Sequence, residues 1–454
     1  MCDALVFAVR ANGVFTEERR VKSGVPQGDV NSPGLFIHFL HDLPEAMNSI
    51  RNDAPGLGCI NVSTLMFADD VALLSTSPLG LKNMLIKLSS YCREWDLNCN
   101  VQKTKIVIFK KSSKRQVSEK CFYRGEEIEV VKNFKYLGVN FASNGKWSAH
   151  VAEKSVSAKF VTSRLNRFVF SNRDCPLHLF MHLFDSLVGS LMLYSFEVFA
   201  WSPILKKFDI IARNFMKSLL GVPQSSLGIA TEALLGRLSV EEMAKKRALR
   251  YFHKSMCKAE TNLVKITLNL QKQMADNGRN CWGLEIKKLL VKLGLEYIWH
   301  NPFAVSHKKF KKISNKKFAI FSLVRRRESL LEFKSAKYIN QLNLKMRILP
   351  HILKLSHSRR RMFVKVLMGS HEELISRSEE GKECLSCNSY LNKPILEHKI
   401  LDCPYTSMLR LTFLDDIKCC LESKKEIHKF YLEKIIEPGG SKWAKFMPFD
   451  TMNK

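Results

Sequence analysis

Acidic residues are scarce in this chain. Its 454 residues include 43 Asp and Glu against 72 Lys and Arg, a net charge of +29 with a pI near 9.6. That imbalance argues against cationic partners and points to a polyanion, nucleic acid ahead of an anionic membrane surface; a solvated basic surface is the plain alternative. A secretory signal is missing as well, because "MCDALVFAVR" is a short apolar stretch that ends in charge. The longest apolar region, Leu177 to Trp201, is interrupted by Asp185 and Glu197, which predicts a buried helix rather than a membrane span. The 13 cysteines are odd in number and scattered, so a disulfide framework is not expected. Reduced thiols suit an intracellular protein of the nucleus and cytoplasm with no membrane partner. Internal repeats and low-complexity tracts are absent too. What remains is a globular composition, 46% hydrophobic, with length enough for more than one domain.

Residues 1–142 mix strand and helix patterns. "ALVFAVRANGVFTEERRVKSG" alternates like two strands joined at Asn12-Gly13, a strong turn dipeptide. "SPGLFIHFLHDLPEAM" reads as a helix from Ser32 to Met47, and "LGLKNMLIKLSSYCREW" as an amphipathic helix with Leu79, Met84, Leu85, Leu88 and Tyr91 on one stripe. "KTKIVIFK" reads as a strand, and "NFKYLGVNF" opens another hairpin. Strict βαβ alternation is lacking, so the fold class is α+β. Beyond Trp147 strand signals fade and helical patterns dominate. Ser239 and Glu242 have the spacing of a capping box.

The stretch "TLMFADDVALL", 64–74, sets Asp69 and Asp70 inside apolar residues. Charges rarely enter a core without a partner or a metal. A hairpin resolves the conflict, because a tight turn projects both carboxylates from its tip. Two close carboxylates repel unless a cation joins them, and Mg²⁺, a hard oxygen-seeking ion that also takes substrate phosphates, suits the place. A water-facing Asp-Asp turn is the plain alternative.

The neighbouring motifs carry a resemblance. "SGVPQGDVNSPGLFIHFLHDLP" (23–44), "FADD" (67–70), "CREWDLNCNVQKTKIVIF" (92–109) and "FKYLGVNF" (134–141) resemble motifs B, C, D and E of reverse transcriptases, in that order. Together they look like the enzyme of a non-LTR (LINE-type) retrotransposon. The resemblance implies RNA-directed DNA synthesis on template RNA and primer DNA with dNTP substrates. By it, Asp69 and Asp70 hold catalytic Mg²⁺, Gln27 and Gly28 contact template and nucleotide, Lys103 faces the triphosphate, and Tyr136 to Gly138 hold the primer end. Asp29 departs from the small or neutral residue usual after Gln-Gly. "GVPQ" recurs at 221–224, where Gly221 reads as a helix stop without chemistry.

The family's third metal-binding aspartate, in motif A, lies well upstream of motif B, and only 23 residues precede Gly24. The expectation is therefore the carboxyl-terminal portion of a reverse transcriptase, with little polymerase activity alone. The resemblance divides the chain into a partial palm at 1–142, a helical thumb at 143–260, a basic helical region at 261–380, a zinc knuckle at 381–406 and a helical tail at 407–454. In the basic region Phe310, Phe318 and Phe321 are expected in the core, and some of the Lys and Arg at 305–361 on phosphate. Cys384, Cys387, His398 and Cys403, spaced C-x2-C-x10-H-x4-C, form a candidate structural Zn²⁺ site. A second "DD", Asp415-Asp416, reads as a solvated helix face. The rival to the polymerase reading is a non-catalytic RNA- or DNA-binding remnant of such an element.

Overall fold

The computed structural model describes residues 6–333 except 21–23, 27, 49–52, 59, 111–119 and 174. Beyond them it describes 339, 342, 344–349, 352–353, 355–368, 384, 387–389, 398 and 403–408. Gln27, Asp415 and Asp416 lie outside the described residues, as does nearly all of 407–454. The chain opens with β1 (Val6–Phe7), β2 (Arg10–Ala11), β3 (Val14–Phe15) and β4 (Arg19–Arg20), followed by α1 (Ser32–Phe39), α2 (Leu43–Asn48), β5 (Gly56–Leu57) and β6 (Ile60–Asn61). Then come β7 (Thr64–Phe67), β8 (Asp70–Leu73), α3 (Pro78–Glu94), β9 (Cys121–Tyr123), β10 (Glu126–Ile128), β11 (Asn133–Tyr136) and β12 (Val139–Ala142). Helices take over with α4 (Ser148–Ser171), α5 (Leu177–Phe184), α6 (Ser190–Met192), α7 (Lys206–Leu220), α8 (Gly228–Leu234) and α9 (Val240–Met256). They continue as α10 (Leu263–Asp276), α11 (Trp282–Lys292), α12 (Tyr297–His300), α13 (His307–Leu331) and α14 (His357–Leu367). The result is mixed helix and strand at the start and mostly helix afterwards. Two compact units divide the chain, 1–150 with 255–284 and 151–254 with 285–454.

In the first unit the described strands form two-stranded antiparallel sheets. Asn12 and Gly13 sit at φ +52° and +85°, the paired left-handed conformation of a type I′ hairpin, between β2 and β3. One apolar cluster unites Leu40, Leu43 and Met47 with Leu85, Leu88, Tyr91 and Cys92 of α3 and with Cys121, Tyr123 and Ile128. Met66, Val71 and Leu73 of the β7–β8 hairpin pack against it.

In the first unit three sequence expectations are corrected. The helix expected over Ser32 to Met47 breaks between Phe39 and Leu43. Pro44 has no N–H to continue the ladder and crowds the preceding turn. On α3, Met84, Leu85, Leu88 and Tyr91 are buried, but Leu79 is 66% exposed. At about 100° per residue it lies on the side opposite Leu88. "KTKIVIFK" forms no strand; Ile106 makes a single parallel bridge to Val130.

In the second unit the stretch from Leu177 to Trp201 is not one helix. After α5 a π turn at Asp185–Gly189 leads into α6, and turns follow. Among the described residues no helix is long and apolar enough to cross a membrane. The capping box forms at the start of α9: Glu242 accepts from the Ser239 N–H at 3.0 Å, and Ser239 Oγ accepts from the Glu242 N–H at 3.1 Å. Gly221 ends α7 at φ +69°, with the Val222 N–H donating back to the Lys217 carbonyl at 3.1 Å. That bond pattern is a helix stop, so the second "GVPQ" serves structure. Phe310 and Phe318 are buried on α13 as expected, but Phe321, three residues beyond Phe318, is only half-buried.

Candidate active site and metal centre

The β7–β8 hairpin is built by alternation. Cross-strand partners share a face, so Met66 opposite Val71 and Thr64 opposite Leu73 form one side, of which Met66, Val71 and Leu73 meet the apolar cluster. Leu65 opposite Ala72 and Phe67 opposite Asp70 form the other side. The turn is Ala68-Asp69, and Ala68 takes φ +51°. A left-handed alanine costs about 1–2 kcal/mol, so the packed strands must hold the tip in this form. Asp69 occupies the turn and Asp70 is the first residue of β8; both are exposed. Neither carboxylate has a hydrogen-bond or ion-pair partner among the described residues.

Of the other candidate residues, Tyr136 lies within electrostatic reach of Asp70. Its hydroxyl is pushed up in pKa by burial and then by the charge of Asp70. Tyr136 ends β11, and the hairpin turns through Leu137 at φ +48° and Gly138 at φ +76°, a second type I′ turn. Gly138 thus has a conformational role. His150 is buried, and its Nδ1 accepts from the Asn140 N–H at 3.2 Å, fastening β12 to the start of α4. No pattern in the sequence marked His150 for this role.

Lys103 is exposed in a turn and makes no ion pair with either aspartate. Its backbone explains its motif: Asn100 Oδ1 accepts from the Lys103 N–H at 3.0 Å, and the Thr104 hydroxyl donates to the Asn100 carbonyl at 2.8 Å. The Asn-x-x-Lys-Thr spacing is thus a self-bonded turn that presents Lys103. Gly24 and Gly28 take φ +82° and +90°, which a side chain would strain. Among the described residues a Cβ at Gly28 would meet nothing within 4 Å. Asp29, the departure from the family pattern, faces water and accepts from the Asn31 N–H at 3.2 Å. The Ser32 hydroxyl closes the loop onto the Pro26 carbonyl at 2.7 Å. Nearby, the Tyr91 hydroxyl donates to Asp42 at 2.5 Å, tying α3 to the break before α2.

Cys384, Cys387, His398 and Cys403 bring their ligand atoms within 4.8 Å of one another. Cys384 and Cys403 are fully buried, and Cys387 Sγ lies 3.1 Å from His398 Nε2. Hydrogen bonds from Ser389 bring the Cys387 thiol down to about 7, so a thiolate forms near neutrality. Three sulfurs and one imidazole at this separation fit a closed tetrahedral Zn²⁺ site.

Comparison with known proteins gives a partial match. Residues 2–141 match the family model "Reverse transcriptase (RNA-dependent DNA polymerase)". That stretch is under a third of the chain, and over it the chain is similar to reverse transcriptases; the curated relatives it resembles are transposon and retrotransposable-element polymerases. It is 24% identical over 255 residues to the probable RNA-directed DNA polymerase from transposon BS of Drosophila melanogaster, covering 54% of this chain and 27% of that protein. With the RNA-directed DNA polymerase from mobile element jockey of Drosophila funebris it shares 22% identity, covering 48% of this chain and 24% of the relative. Identity reaches 31% over 139 residues with the Pol polyprotein from the type-1 retrotransposable element R2 of Popillia japonica, covering 29% of this chain and 23% of that one. The chain thus spans about a quarter of the length of each of these three relatives.

Proposed function

We propose that this chain contributes to RNA-directed DNA synthesis by a non-LTR retrotransposon enzyme, through two-metal nucleotidyl transfer. The observation that carries the reading is a pair of carboxylates lifted onto a hairpin tip and without partners among the described residues, with Tyr136 within electrostatic reach of Asp70. Asp69 and Asp70 would hold Mg²⁺, which when bound neutralises nucleotide phosphate and activates the primer hydroxyl. Gln27 and Gly28 would meet template and incoming nucleotide, Lys103 the triphosphate, and Tyr136 with Gly138 the primer end. In this reading residues 1–142 are part of a palm, 143–260 a thumb and 261–380 a basic nucleic-acid-binding region, followed by the zinc knuckle at 381–406 and the tail at 407–454. Zn²⁺ held by Cys384, Cys387, His398 and Cys403 would fix local structure.

One observation favours a second reading, a non-catalytic RNA- or DNA-binding remnant. Among the described residues no third carboxylate stands within ligating reach of Asp69 and Asp70. An incomplete ligand set weakens transition-state stabilisation by several kcal/mol. Primer extension on a primed RNA template with dNTPs and Mg²⁺ tests both. A chain that extends, and stops extending as Asp69→Asn, is a polymerase in its own right. A chain that binds template–primer equally well with and without Asp69→Asn, and never extends, is the remnant.

A further inference from the structure

Helices α9 and α13, both in the second unit, run antiparallel, and three contacts set their register. The Ser322 hydroxyl donates to Glu242 Oε2 at 3.0 Å, Arg250 donates to Asn315 Oδ1, and the Nδ1 atoms of His253 and His307 lie 3.2 Å apart. Charge is treated oppositely at the two ends of this pair. At the Glu242 end the cations are matched: Arg325 lies 3.2 Å and Arg326 3.7 Å from the Glu242 carboxylate. Toward the other end Lys246, Arg250 and Lys254 follow at four-residue spacing on α9, one ridge about 12 Å long. Lys311 comes from α13 beside His307. None of these four cations has a carboxylate partner among the described residues. Arg250 reaches a neutral amide instead, and its buried Nε has no partner.

We propose that this end of the α9–α13 pair is a docking surface for the phosphodiester backbone of a nucleic acid, gripped by Lys246, Arg250, Lys254 and Lys311. The argument is charge complementarity. Cations crowded on facing helices, with Glu242 the one counter-charge acting on Lys246, repel each other, and a phosphate backbone removes that repulsion while releasing its own counterions. The crowding registers in the side chains themselves. Lys246 is brought down to about 8, first by burial and then by Arg250, Arg237 and Arg247, with Glu242 opposing. His307 is lowered by burial and then by Lys254, Arg250 and Lys311. The proposal rests on the reading that the chain binds nucleic acid, and adds where it does so.

Fluorescence anisotropy of the full chain with a labelled single-stranded RNA, and with an RNA–DNA duplex, tests it across about 50–200 mM salt. The triple variant Lys246→Gln, Lys254→Gln, Lys311→Gln should bind roughly tenfold or more weakly. Its slope of log affinity against log salt should fall by about 2 on the single strand and somewhat more on the duplex. Arginine at the same three positions should keep the wild-type slope. A charge-matched control, Lys206→Gln, Lys207→Gln, Lys292→Gln, on exposed lysines elsewhere in the unit, should keep it too. An unchanged slope in the first variant, or an equal loss in the control, overturns the surface while leaving the nucleic-acid reading standing. Wild-type protein that binds neither probe overturns both.

Discussion

Asp69 and Glu242 are both carboxylates set among apolar residues, and the molecule handles them in opposite ways. Asp69 and its neighbour Asp70 are carried out of the apolar layer by a two-residue turn and have no partner among the described residues. Glu242 stays inside, 2% exposed, and is surrounded by the Ser239 N–H, the Ser322 hydroxyl, Arg325 and Arg326. Glu232 is handled likewise, with Arg213 at 2.7 Å. The contrast separates a charge kept for something outside the fold from a charge neutralised within it. Only the first kind leaves room for an added cation.

Breaking the internal charges should have the largest effect. Glu242→Ala strands Arg325 and Arg326, so unfolding by urea should report a loss of about 3–5 kcal/mol. Asp69→Asn removes no internal partner and should change stability by less than about 0.5 kcal/mol. Equal effects from these two variants would erase the distinction. Next in size is the metal centre. Zinc should be present at one ion per chain by elemental analysis and lost in Cys387→Ser, and chelation should expose 384–403 to proteolysis; intact resistance after chelation counts against the ion. Ala68→Gly relieves the left-handed alanine and should stabilise the chain by about 1 kcal/mol in thermal melts, the larger unfolded-state freedom of glycine offsetting part of the gain.

A pH dependence belongs to Lys246. Its folded pKa of about 8 lies below the ordinary 10.5. Between those values the unfolded chain holds a proton that the folded chain has released, so stability should rise with pH across that window. Below about pH 8 its burial penalty is fully felt. Lys246→Met should flatten this slope in denaturation series; an unaltered slope assigns it to other groups.

Local chemistry was the legible part of the sequence. Asn12-Gly13 and the Ser239-to-Glu242 spacing involve residues within four of one another, and the structure forms both as expected. Gly221 as a helix stop is of the same kind. What escaped depends on partners far along the chain or on one residue outweighing a pattern. Pro44 splits a helix that periodicity alone extends, and Leu79 falls off a stripe once its angle is counted. Glu242 looks like a cap in sequence, yet it also receives Ser322, 80 residues away. His150 and the facing cations of α9 and α13 likewise come together only through tertiary packing. At the candidate site the sequence supplied the hairpin and its carboxylates, whereas the approach of Tyr136 to Asp70 needed the fold.

The most direct test of the central claim is a titration of Mn²⁺, standing in for Mg²⁺, followed by electron paramagnetic resonance with the full chain and a dNTP. Wild-type protein should take up Mn²⁺ in a dNTP-dependent manner, weakly, and Asp69→Asn with Asp70→Asn should abolish that uptake. Identical uptake by the wild-type and doubly substituted chains would show that the acidic tip does not seat the metal.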